Sequence, residues 1–321
     1  MHPALSVIFF TVASGAGFGM LALLGTAVAL NDGDTAISIF VVKLVLALGL
    51  TTFGLFASTF HLGRPERAWR AFSQWRSSWL SREGVLSVLT YPAALALAAG
   101  YLGSLSPTAV RWASIATAVL ALATLVSTGM IYASLKAIPR WSNRWTVPGY
   151  VALGLMSGAL LLHAVDRVAA CFAIEAVPMR VSGWVALLLL FIAVAVKLAY
   201  WWSIDHAPAR ATIETATGLV GRGPVRQFES PHTAENYVMQ EMGYRIARKH
   251  AKKLRRIALV LGFVFPALLL LPSLVIPGPI GAALFAILAA LTALIGLFVE
   301  RWLFFAEARH VVTLFYGAAA V

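Results

Sequence analysis

Charge is the first thing this chain lacks. Only 12% of its 321 residues are Asp, Glu, Lys or Arg, about half of what a soluble domain carries, which excludes a water-soluble globule. Cysteine is nearly absent. The single Cys171 rules out an intrachain disulfide and any iron–sulfur cluster held by this chain alone, and it reads as a small apolar residue near a helix end. Histidine is sparse as well. Of seven, only His61 and His163 fall at borders of apolar runs, and they lie toward opposite ends, so they cannot share one iron. No haem b and no metal are expected in this chain. Acidic residues number 13 against 25 basic ones. Gly218, Gly221 and Gly223 lie near Arg222 and Arg226, but without a preceding strand or a following Lys-Ser/Thr they read as a linker, not a phosphate loop. The excess of basic residues is therefore assigned to membrane topology and lipid headgroups, with no nucleic-acid partner.

Long apolar runs are what the chain has in abundance. Residues AVILMFWYC make up 60% of it, and runs of about 20 apolar residues are long enough as helices to cross a bilayer core of about 30 Å. Eight such runs are read, at about 4–30, 37–60, 85–104, 110–134, 148–168, 183–203, 257–276 and 280–304. The expected fold is all-α, a polytopic bundle of eight transmembrane helices forming one membrane domain over 1–321. The first run lacks a basic flank and a clear cleavage site, so it is expected to be a retained helix. With eight crossings, both termini and the even-numbered connections share a face. That face carries 20 of the 25 Lys/Arg, with Lys197 close to it, and the positive-inside rule makes it cytoplasmic, N-in and C-in.

Small residues in the first run, Gly15 and Gly19, form a GxxxG spacing that suits close helix packing. The one sizeable polar segment, 204–256, is read as a cytoplasmic loop. Its basic run from Arg245 to Arg256 serves as a positive-inside anchor or as a docking surface for a soluble partner. Several ionisable residues besides Glu83 sit within apolar runs or at their edges. Lys43 is expected to snorkel outward, Glu300 and Arg301 to be solvated near the cytoplasmic edge, and Asp166 with His163 forms a rival site.

The most informative segment is HLGRPERAWRAFSQWRSSWLSREG, His61 to Gly84. A short interfacial helix is expected to start at Pro65, with Ala68, Trp69, Phe72 and Trp75 at helical spacing and Arg67, Arg70 and Arg76 off that stripe. His61 and Glu83 bracket the segment at the membrane boundary. A histidine titrating near neutrality and a first-turn glutamate form a proton-exchanging pair suited to a quinone headgroup. Arg64 and Arg82 stand ready to hold an anionic intermediate, and Trp69, Trp75, Trp79 and Tyr91 to pack against the ring and tail.

These residues also carry a family resemblance. HLG followed by a Pro and Arg-Ala in 61–68, with Ser81-x-Glu83 and the eight-helix layout, resembles the membrane anchor subunit of the dimethyl sulfoxide reductase family of molybdoenzymes, which includes the anchors of sulfite:quinone oxidoreductase complexes. The resemblance implies a metal-free anchor in a bacterial inner membrane. It would exchange electrons between ubiquinone or menaquinone and a ferredoxin-like four-cluster iron–sulfur subunit that wires a molybdopterin catalytic subunit. The family's quinol-site histidine and glutamate fall on His61 and Glu83. The long basic segment 204–256 departs from the family type and points to a cytoplasmic catalytic dimer. That favours sulfite oxidation over dimethyl sulfoxide, tetrathionate or polysulfide reduction. A membrane transporter is the alternative of another class; inverted repeats and midplane charges would mark it.

Overall fold

The computed structural model describes residues 5–30, 36–173, 179–226, 228–229, 248–316, 318 and 321, without the side chains of His61 and 179–181. Eight helices are long and apolar enough to cross a membrane, and no strand occurs among the described residues. They are α1 (Leu5–Leu30), α2 (Ile37–Ala57), α3 (Trp79–Tyr101), α4 (Pro107–Ala133), α5 (Thr146–Ala170), α6 (Met179–His206), α7 (Ala251–Val275) and α8 (Pro279–Ala306). Helices prevail because nothing in a bilayer core satisfies an unpaired backbone group, and a helix satisfies its own.

Helices α1 and α5 form the centre. On one side α1 packs against α2 and α4, with α3 outside on α4; on the other, α5 packs against α6 and α8, with α7 outside on α8. Phe18, Met20, Leu21, Phe40, Leu97 and Leu125 fill the first side, and Met156, Leu160, Leu190, Leu270, Ala289 and Ala293 the second. The α1–α5 seam depends on glycine. A Cβ at Gly19 would collide with the Gly154 carbonyl, and one at Gly158 would lie 2.5 Å from Gly19 C and Met20 N. The GxxxG reading is half right: Gly19 makes the close approach, whereas a Cβ at Gly15 would have open space around it. Gly15→Ala is therefore expected to leave the yield of folded protein unchanged. Gly19→Leu should push the central helices apart and cost more than the roughly 1–3 kcal/mol of ordinary overpacking, seen as loss of monodisperse protein on size exclusion in detergent.

Helix α7 contains a π-helical turn at Val260–Val264. Pro266 follows it, and a proline ring clashes with the carbonyl four residues back, here that of Gly262. The widened turn removes the clash, and Gly262 meets Gly296 of α8 backbone to backbone.

Three boundaries differ from expectation. Helix α3 starts at Trp79, so Glu83 lies inside a helix. Helices α6 and α7 reach His206 and Ala251, which shortens the polar segment 204–256 at both ends. Residues 230–247 of that segment, and Arg245 with them, lie outside the described residues. What is described is fastened to its neighbours. Arg210 N donates to Val321 O at 2.9 Å, and Arg210 Nη2 to Ser142 O at 2.8 Å. Arg248 bonds the α8 end through Ala306 O and Ala308 O, and Arg255 joins Asp205 of α6 to Glu307 just past α8. Part of the basic run thus holds helix ends together, while Lys249, Lys252, Lys253 and Arg256 stay exposed.

Candidate functional site

Glu83 occupies the second turn of α3 and is 4% exposed. The expected first-turn position near a helix N-terminus is corrected. The carboxylate instead faces α4, where the Thr128 hydroxyl donates to its Oε1. Thr128 Oγ1 also lies 3.0 Å from Thr124 O. This hydroxyl can donate to a charged Glu83, or turn to Thr124 O and accept from a protonated one. Ser87 and Thr90, one and two turns further on, line the same buried side of α3, and Ser81 is buried as well.

The polar connection before α3 folds over this end. Pro65–Phe72 is a 3₁₀-helix with proline at its start, as its sequence suggests, and a Cβ at Gly84, next to Glu83, would lie 3.2 Å from Phe72 Cε1. Arg82 turns back on the connection. Its Nε donates to Trp75 O at 3.1 Å, its Nη2 to Arg76 O at 2.6 Å, and its guanidinium stands 4.2 Å from the Trp79 ring centroid. Deeper, Tyr91 Oη and Thr52 Oγ1 are 2.8 Å apart and bridge α3 to α2, which otherwise touch sparsely. Trp79, Arg82, Glu83 and Tyr91 follow one helix, with Glu83 turned to α4 and Tyr91 to α2, and His61 closes the 3₁₀-turn that extends α2, its side chain outside the described residues. Arg64, Trp69 and Trp75 are not drawn in; they lie exposed, with Trp69 and Trp75 under Arg70 and Arg76.

Behind Glu83 lies a cluster that the sequence did not announce. Tyr132 of α4 stacks on Tyr150 of α5 with centroids 5.3 Å apart, and the Arg301 guanidinium of α8 stands 4.0 Å over the Tyr150 ring. Arg301 Nε lies 2.7 Å from Glu300 Oε2, and Glu300 also pairs directly with Lys197 of α6. Two cations share one carboxylate, all buried. The expectation that Glu300 and Arg301 would be solvated is thus corrected: they are 1% and 4% exposed, because α6 and the aromatic rings of Tyr150, Tyr200 and Phe304 close around them. Lys43 is corrected likewise. It does not snorkel but is buried against Asp166, Nζ to Oδ1 2.5 Å, toward the opposite end of the bundle. Both ring nitrogens of His163 there lie 3.0 Å from hydroxyls, those of Ser182 and Ser273.

The family model of the DMSO reductase anchor subunit (DmsC) matches residues 1–318. The chain belongs to this family. It is also similar to a sulfite dehydrogenase subunit of Allochromatium vinosum, 34% identical over 339 residues that span the whole of both chains. This DMSO reductase family anchor is an integral membrane protein of several spans, in a family whose members associate with catalytic molybdoenzyme subunits.

Within the anchor, sequence reasoning found the buried carboxylate and missed its surroundings. Thr128 sits in VSTGMIY, a polar pair within an apolar run, and that was its one signal. Lys197, Glu300 and Arg301 were visible as ionisable residues inside or beside apolar runs. What was not visible was that two different helices, α6 and α8, bring them to the same depth.

Proposed function

We propose that this anchor binds a quinone beside Glu83, between α2 and α3, and passes electrons between the quinone pool and a ferredoxin-like four-cluster iron–sulfur subunit. That subunit in turn would serve a molybdopterin catalytic subunit. The observation that carries the reading is Glu83: a carboxylate buried within a membrane-crossing helix, whose hydroxyl partner Thr128 can serve either protonation state. Glu83 and His61 exchange the protons of ubiquinone or menaquinone. Arg82 and Trp79 hold the connection over the headgroup, and Tyr91 lines the path of the tail. The partner subunits supply the electrons or take them up; no metal or haem of this chain enters the step.

The basic face is cytoplasmic in this reading, N-in and C-in in a bacterial inner membrane, since 20 of 25 Lys/Arg fall there. The exposed Lys249, Lys252, Lys253 and Arg256, with the rest of 204–256, serve lipid headgroups and the docked partner. Full-length similarity to a sulfite dehydrogenase subunit supports sulfite:quinone oxidoreduction over the reduction of dimethyl sulfoxide, tetrathionate or polysulfide. His61→Ala tests the site in the purified complex. Quinone turnover should fall about a hundredfold or more, while the partner subunits co-purify in unchanged ratio. Unchanged turnover would remove His61 from the site.

A further inference from the structure

Two small cavities, each of about 10 Å³ and so on the scale of one water, flank the Tyr150–Arg301 contact. The first opens at the α1–α5 seam, where Gly15 leaves space, and is bordered by Thr128, Ser14, Ser157, Tyr150 and Arg301. The second lies between Tyr150, Arg301, Lys197, Tyr200 and Trp145. Their walls hold unsatisfied polar atoms. Trp145 Nε1 is buried without a hydrogen-bond partner among the described residues, and Tyr150 Oη and Arg301 Nη1, though close to polar neighbours, make no well-aligned hydrogen bond there. Such groups are costly unless water fills the space between them. Thr128, on the first cavity, is the residue that bonds Glu83. Tyr200, on the second, donates its hydroxyl to Arg140 O at 3.2 Å, where Arg140 reaches partial exposure at the basic face.

We infer that these groups form a lateral proton path: Glu83, Thr128, a water, Tyr150, a second water, then the Lys197–Glu300 pair and Tyr200 at the basic edge. This rests on the reading of Glu83 as a quinone-site group. The path runs across the bundle, from the α3–α4 side through the central seam to the α6–α8 side. Each hydroxyl and water in it gives up one proton and takes one. For every proton Glu83 hands to a quinone oxygen, the Tyr200 hydroxyl turns from the Arg140 carbonyl to take one from solvent water at the basic edge, and none accumulates. In quinol oxidation the same groups carry the proton out. Arg301 stays charged throughout and orders the waters on both sides. The path lets Glu83 exchange with solvent while the folded connection over it keeps bulk water from the quinone.

The test uses the purified complex carrying this anchor, with quinone turnover measured in H₂O and D₂O. Thr128→Val and Tyr150→Phe should each slow turnover about tenfold or more and enlarge the solvent isotope effect. The KM for quinone and the yield of assembled complex should stay within about twofold, and Thr128→Ser, which keeps the hydroxyl, should restore the parent rate. Parent rates and isotope effects in both Thr128→Val and Tyr150→Phe would overturn the path. If Tyr150→Phe fails to assemble, the Thr128 pair decides alone. Glu83→Gln run in parallel separates the two readings. Lost turnover in Glu83→Gln with normal turnover in the other two rejects the path only, whereas normal turnover in Glu83→Gln rejects the site itself.

Discussion

Glu83→Gln should lower quinone turnover of the assembled complex by about 10²–10⁴-fold, the contribution of a positioned general acid–base group. The substitution is nearly isosteric. A glutamine oxygen still accepts the bond that Thr128 gives to Glu83 Oε1, so packing against α4 and the amount of complex recovered should hold. What disappears is the capacity to take up and release a proton at that depth. Glu83→Asp should fall between. It keeps the carboxyl but draws it back by one methylene, away from Thr128 and toward the α3 backbone. Steady-state assay with a soluble quinone, paired with the yield of co-purified partners, checks both. A Glu83→Gln complex that turns over at the parent rate would leave Glu83 as a buried polar group of structural use only.

The second large effect concerns stability. Glu300 is the one carboxylate shared by Lys197 and Arg301, and all three are at most 4% exposed. Glu300→Ala leaves two buried cations facing each other without a counter-ion. Breaking a buried pair by removing one partner costs about 3–5 kcal/mol, a large share of a marginal stability. The chain should melt much earlier in detergent, and less complex should be recovered. Adding Lys197→Met to Glu300→Ala removes one stranded cation and should recover part of the loss, because Arg301 retains its place over the Tyr150 ring. Thermal unfolding followed by size exclusion measures the three proteins side by side. A Glu300→Ala protein that melts with the parent would mean that water reaches the cluster freely.

How much of this could be read beforehand follows from what each feature depends on. The eight spans were legible because a bilayer demands about 20 apolar residues in a row, and that signal is local. Helix starts were less so. Arg82 and Glu83 read as a boundary, yet α3 begins at Trp79, since Arg82 is held by the carbonyls of Trp75 and Arg76 and Glu83 by Thr128. The basic turn at Ala251–Arg256 read as loop, yet it is helical, with Arg255 held by Asp205 and Glu307. In both places charges inside a helix are matched by partners 6 to 52 residues away. The burial of Lys43 and of Glu300 with Arg301 failed for the same reason. Whether a charge snorkels or pairs is decided by the neighbouring helix, and Asp166 lies on α5 and Lys197 on α6.

The most direct measurement of the central claim is photolabelling of the purified complex with an azido-substituted quinone, followed by peptide mapping. Labels are expected in the last turns of α2 through His61 and in α3 from Trp79 to Tyr91, to be competed by excess unmodified quinone and weakened by Glu83→Gln. Competed labelling confined to helices other than α2 and α3 would contradict the assignment of the quinone to them.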